Sequence, residues 1–94
     1  MNQYTDLKLI DEEWITQKVR DENCFQIAKW GTQTHSAFEW LTYTMEELGE
    51  LADAISEYEY REGTKEHVVR EAIQVATLAL KIAEMYEKGE YGGS

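Results

Sequence analysis

The sequence predicts an all-α fold, an antiparallel helical bundle that is completed by oligomerisation. Proline is absent, and three of the six glycines lie in the last six residues, so the interior has little of the turn chemistry that β-rich folds need. Apolar residues recur at helical spacing in two long segments. One of these segments is apolar on nearly every side, which predicts burial by more neighbours than one small chain supplies.

The first predicted helix runs from about residue 11 to about residue 28. Three acids at 11–13 lie where the N-terminus of a helix favours negative charge. Cys24, beside apolar neighbours in this helix, is predicted to be a small buried hydrophobe. The segment 29–35 is predicted to be a loop, because Gly31 and a run of Thr and Gln residues do not favour a helix interior.

The second predicted helix runs from Ser36 to about Glu62. Ser36 and Glu39 have the Ser-x-x-Glu spacing of a capping box, in which each side chain accepts a hydrogen bond from the other residue's backbone amide. Apolar residues then follow one another at intervals of 4, 3, 4 and 3, which is typical of the seam of a bundle or coiled coil. The seam consists of Leu41, Met45, Leu48, Ala52 and Ile55.

The third predicted helix runs from Lys65 to about Lys88. Gly63 is a candidate C-cap of the preceding helix and Thr64 a candidate N-cap of this one, so the two helices are predicted to form an antiparallel pair. Apolar residues occupy nearly every side between Ala72 and Met85. We therefore expect at least a dimer.

Length and composition limit the classes of function. Ninety-four residues suffice for one domain, predicted at 1–88 with a flexible C-terminal tail at 89–94. Nineteen acidic against nine basic residues give a net charge of −10, which disfavours binding to nucleic-acid polymers and anionic membranes. A single cysteine excludes an internal disulfide and fits a reducing compartment. Without an apolar stretch of roughly 20 residues, we expect a soluble, cytoplasmic protein.

The second predicted helix carries most of the excess negative charge. Residues 39–62 hold eight acids against one base, and Glu46, Glu47, Glu50 and Asp53 share one side of the helix. A solvated acidic face and a divalent-metal site both account for this pattern.

The third helix carries polar residues within its apolar stretch. Glu71, Gln74, Thr77 and Lys81 fall roughly on one face. In an antiparallel pair, the faces of Glu47/Glu50 and Glu71/Gln74 can meet and collect three carboxylates and one amide oxygen. Oxygen ligands without Cys or an aligned His favour Mg²⁺ or Mn²⁺ over zinc.

These residues resemble the MazG-like all-α nucleoside triphosphate pyrophosphohydrolases. Glu46-Glu47-Leu48-Gly49-Glu50-Leu51, followed by Glu71-Ala72-Ile73-Gln74, is similar to the family's Glu-x-x-Glu and Glu-x-x-Asp pair. The segment Lys29-Trp30-Gly31-x-Gln33-x-His35 resembles a Lys-Trp-Gly-x-Gln segment ahead of the acidic helix in some members. The similarity spans about residues 20–85.

The resemblance implies Mg²⁺-dependent cleavage of a nucleoside triphosphate between its α and β phosphates, in a homodimer or homotetramer. Carried over by position, Glu47, Glu50 and Glu71 are the catalytic metal ligands, with Glu46 as an outer or alternative ligand. Gln74 stands where the family usually has Asp. Its amide offers a metal a neutral oxygen, but it carries no charge and cannot act as a base.

Candidate substrate contacts are Lys29, Trp30, Gln33 and Lys81. A triphosphate with about four negative charges needs cations near an acidic helix, which favours the two lysines, although a solvated Lys81 fits equally. Trp30 is a candidate for stacking on a base, or alternatively an anchor of the loop. His35 is assigned to the loop or a cap, and Trp14 and Trp40 to packing.

Two other classes compete with the enzyme. A degenerate relative that binds nucleotide without cleaving it, or a helical assembly module, is favoured by Gln74. A di-iron carboxylate bundle needs Glu-x-x-His pairs, and neither His35 nor His67 follows a Glu at that spacing.

Overall fold

The computed structural model describes residues 3–6 and 11–89, which contain three α-helices and no strand. Helix α1 spans Glu12–Trp30, α2 spans Ala37–Tyr60 and α3 spans Lys65–Lys88. Helices α2 and α3 form an antiparallel pair, and α1 packs on α3. The predicted all-α bundle is thereby confirmed. No helix among the described residues is long and apolar enough to cross a membrane. Residues 90–94 of the predicted tail lie outside the described residues.

Local side-chain contacts fix where the helices begin. The predicted capping box is confirmed: the Glu39 amide donates to Ser36 Oγ at 3.2 Å, and the Ser36 amide donates to Glu39 Oε1 at 2.8 Å. Thr64 Oγ1 accepts from the His67 amide at 3.2 Å, as predicted for an N-cap. Asp11 plays the same role for α1.

Helix α1 continues two residues beyond its predicted end. Gly31 terminates it with a φ of 77°, and the Gly31 amide donates to the Ile27 carbonyl at 2.8 Å. Lys29 and Trp30 therefore lie in the last helical turn rather than in the loop.

The predicted role of Gly63 as the C-cap of α2 is wrong, because Arg61 occupies the cap position. Helix α2 ends at Tyr60, and the Arg61 and Gly63 amides both donate to the Glu57 carbonyl, at 2.9 and 3.1 Å. Gly63 is not among the glycines with positive φ. A Cβ there would lie 2.9 Å from the backbone carbon of Glu57, so close chain approach requires the glycine.

The α2 face that packs on α3 is not the predicted apolar seam. Trp40 and Ala54 of α2 are buried at 8% and 1% exposure, and Leu78 of α3 is buried with them. At about 100° of rotation per residue, the predicted seam lies about a third of a turn away from this face. All five seam residues are exposed: Leu41, Met45, Leu48, Ala52 and Ile55.

Helix α1 is only loosely covered. It contains no buried residue, and Cys24, predicted to be buried, is exposed, as is Trp14. The physical reason is that α1 has α3 as its only helical neighbour within the described residues. The Cα radius of gyration is 14.9 Å, whereas a compact domain of this length has about 12 Å.

Candidate functional site

Three glutamates converge where α2 crosses α3. Glu47 and Glu50 lie one turn apart on α2, and Glu71 faces them from α3. One carboxylate oxygen from each lies within 4.8 Å of the others. Glu71 is only 8% exposed, so its carboxylate belongs to the helix interface rather than to a solvated surface. The antiparallel pairing thus unites two motifs that are about twenty residues apart in the sequence.

Gln74 bridges two of these carboxylates. With its amide nitrogen directed at them, it donates to Glu47 Oε2 at 2.6 Å and to Glu71 Oε2 at 2.9 Å. Glu47 is hydrogen-bonded to Glu50 and Glu71, so a proton on Glu47 is shared among the carboxylates, and the ionised Glu71 carboxylate offers none to an amide oxygen; the amide nitrogen is therefore assigned to this side. In this arrangement Gln74 holds the two glutamates together through its nitrogen.

His67 contacts the same cluster from the first turn of α3. Its Nε2 lies 3.3 Å from Glu71 Oε1. The sequence motifs did not point to this contact of His67. The signal was available, since residues four apart on a helix are neighbours.

Burial and crowding raise the pKa of Glu47 to about 8, from an ordinary value of 4.5. Burial is the largest cause, followed by the hydrogen bonds and negative charges of Glu50 and Glu71. Near neutral pH the cluster therefore retains a proton when no cation is present.

Glu46 does not join the converging oxygens. It is exposed and lines the groove beside the cluster. Its position about 100° round the helix from Glu47 explains this, because Glu47 points toward α3.

A groove of about 1210 Å³ opens next to the cluster. The end of α1, the loop at 31–35, the first half of α2 and one face of α3 form its walls. Glu47 and Gln74 line it, so the groove connects directly with the carboxylates. A cleft of this size is sufficient for a small-molecule ligand.

Lys81 lies in the groove and contacts both neighbouring helices. Its Nζ donates to Gln26 Oε1 of α1 at 2.7 Å and lies 5.1 Å from the centre of the Trp40 ring of α2. Burial lowers the pKa of Lys81, and the negative charge of Glu22 partly opposes this effect. Lys81 is thus a partly buried cation held against aromatic and amide groups, rather than a freely solvated lysine.

The loop side of the groove carries the other predicted contacts. Trp30 is 63% exposed, so it does not anchor the loop, and Lys29 Nζ lies 4.9 Å from its ring centre. Gln33 and His35 side chains are 3.3 Å apart. The His35 ring packs edge-on against Trp40, at 4.8 Å between ring centres, and against Tyr43.

The structure therefore brings Lys29, Trp30, Gln33 and Lys81 to one groove and adds Gln26 and Tyr43, which sequence reasoning missed. Helical spacing could have found Tyr43, which lies one turn before Glu47 on the same face of α2, whereas no short-range pattern links Gln26 to the motifs. Comparisons of the chain with protein-family models, with curated proteins and with solved structures find no match.

Proposed function

We propose that the protein is a Mg²⁺-dependent nucleoside triphosphate pyrophosphohydrolase, which cleaves an NTP or dNTP to the monophosphate and pyrophosphate. The observation that carries the proposal is the convergence of Glu47, Glu50 and Glu71 beside a groove that holds a partly buried lysine. The resemblance to MazG-like enzymes supplies the reaction class.

The donor set fits a hard divalent cation. Three carboxylates converge within 4.8 Å, and oxygen is the ligand atom that Mg²⁺ and Mn²⁺ prefer. Like charges at such distances repel, and the raised pKa of Glu47 reflects that repulsion together with burial. Glu47, Glu50 and Glu71 would hold the ion, and Gln74 would contribute its oxygen after turning its amide. When bound, such an ion neutralises phosphate oxygens and lowers the pKa of a coordinated water.

The groove supplies the contacts for the rest of the substrate. Lys81, two turns after Gln74 on the same face of α3, is placed to bind phosphate oxygens, and Lys29, which also lines the groove, is the second candidate cation. Trp30 presents an exposed ring on which a base can stack, with Gln33 as a polar contact from the loop. Glu46 lies at the edge of the groove as an outer carboxylate. Its negative charge repels the phosphates, so the substrate needs cations to neutralise it when it binds.

A second candidate function is a non-catalytic nucleotide-binding or helical assembly module. The specific observation in its favour is Gln74, whose nitrogen faces Glu47 and Glu71. A neutral donor stabilises the carboxylates without a cation and supplies no fourth negative charge.

Product analysis separates the two candidates. The purified chain is incubated with a panel of NTPs and dNTPs plus Mg²⁺ or Mn²⁺, and mono-, di- and pyrophosphate are resolved by chromatography. The enzyme hypothesis expects monophosphate and pyrophosphate in equal amounts. No turnover with either metal, combined with turnover by Gln74→Asp, identifies Gln74 as the cause of a lost activity. Inactivity of both proteins favours the binding module.

We also propose that the protein is a homodimer or homotetramer and that it resides in the cytoplasm, where its substrates are found. The five exposed seam residues of α2 support association, because a 4-3-4-3 apolar spacing is the pattern by which helices pair. Glu46 and Glu50 lie on the opposite side of α2, so two acidic chains can approach along the seam with little repulsion. Light scattering at micromolar concentration tests this, and a monomer contradicts it.

A further inference from the structure

His67 contacts a buried carboxylate of the cluster without being one of the converging groups. Its Nε2 lies 3.3 Å from Glu71 Oε1, and its side chain is 40% exposed, whereas that of Glu71 is 10% exposed. Exposed ion pairs at this spacing contribute little to folding stability, because both side chains move freely. Here one partner is fixed within the helix interface, so the contact has a defined geometry.

The two oxygens of Glu71 have different partners. Oε1 faces His67, and Oε2 accepts a hydrogen bond from Gln74 at 2.9 Å. The last torsion of a glutamate is broad and weakly restrained by itself. The His67 ring at Oε1 and the Gln74 amide at Oε2, one turn before and one turn after Glu71 on the same helix, therefore restrict rotation of its carboxylate before a cation binds.

We propose that His67 is a positioning residue for the divalent-cation site, acting through Glu71. Its Nε2, 3.3 Å from Oε1, orients the carboxylate that faces Glu47 and Glu50. This inference rests on the proposed metal site. Hydrogen-bond partners of metal ligands typically change metal affinity by 10- to 100-fold when they are removed.

The test compares His67→Leu with His67→Gln by calorimetric titration of Mn²⁺ into the full chain. Gln carries an N–H at nearly the same reach as Nε2, whereas Leu has a similar bulk and no donor. We expect the Kd for Mn²⁺ to rise roughly 10- to 100-fold in His67→Leu. In His67→Gln the Kd should stay within about threefold of its original value. The cap on α3 is preserved in both variants, because the His67 backbone amide donates to Thr64.

Lys65→Leu is the matched control, a polar-to-leucine change at an exposed position in the same turn. It should leave the Mn²⁺ affinity unchanged, and thermal unfolding should show all three variants folded. Unaltered affinity in His67→Leu, or equal loss in His67→Gln, overturns the positioning role. If the original chain binds Mn²⁺ in a His67-dependent way but cleaves no nucleotide, the proposed function fails and this inference stands. If the original chain binds no Mn²⁺, both fail.

Discussion

The two sides of the α2–α3 pair each depart from the usual distribution of residues: one buries charged groups and the other exposes apolar ones. On the side next to α1, the carboxylate of Glu71 is buried against Glu47. On the other side, apolar seam residues such as Met45, at 63% exposure, face outward. Buried carboxylates favour a cation and exposed apolar stripes favour an apolar partner. We therefore interpret the first side as a ligand site and the second as an interface between copies.

The largest expected effect comes from removing a carboxylate on the first side. Glu50→Gln and Glu71→Gln should each weaken Mn²⁺ binding at least about tenfold and lower kcat/KM for the preferred nucleotide by about 100-fold or more, because each removes a charged ligand. Pyrophosphate release and calorimetry measure the two effects.

Asp53→Asn is the matched control, since Asp53 is an exposed acid on α2 outside the cluster. Its kcat/KM should stay within about threefold of the original value. The loss of kcat/KM in Glu46→Gln should be smaller than that in Glu50→Gln. Full activity of either cluster variant would remove the site assignment and leave the first side as a simple acidic surface.

The second side should be sensitive to charge. Leu48→Glu places a carboxylate in the middle of the seam, where association of two copies would remove its charge from water. We expect association to weaken by about 100-fold or more, measured as a drop in mass by light scattering or sedimentation. Thr16→Glu adds the same charge to an exposed position of α1 and should leave the mass unchanged. Equal masses for both variants would contradict the use of the seam as an interface.

Sequence reasoning predicted the three helices, the capping box and the meeting of Glu47, Glu50, Glu71 and Gln74 because local propensity and helical spacing determine all of them. It did not predict that Trp40 and Ala54, rather than the apolar seam, pack against α3. The period of an apolar stripe identifies one side of a helix but not which neighbour covers it, and here Trp40 and Ala54 cover the intrachain contact while Leu48 is exposed. The Lys81–Gln26 contact joins residues 55 positions apart, so no local pattern indicates it.

Glu47 should make the metal-free stability depend on pH. Its pKa is about 8 in the folded chain, against an ordinary value of 4.5. Between these values the folded protein holds a proton that the unfolded chain lacks, so this group's contribution to the free energy of unfolding falls as pH rises and becomes constant above about pH 8. Glu47→Gln should remove that component of the slope. Urea unfolding in EDTA at several pH values measures it, and an unchanged slope would contradict the crowding of carboxylates on the first side.

The smallest expected effect is at Gly49, which lies on α2 beside Leu48. A Cβ built there meets no atom within 4 Å in the isolated chain. Gly49→Ala should therefore raise the free energy of unfolding by about 0.5–1 kcal/mol, because alanine loses less backbone entropy in a helix. Denaturant unfolding at concentrations low enough to keep the chain monomeric measures this gain, and its absence would contradict the open space around Gly49. If the gain turns into a loss only at concentrations where copies associate, a partner helix lies against Gly49, and the interface then extends from the seam toward this edge of α2.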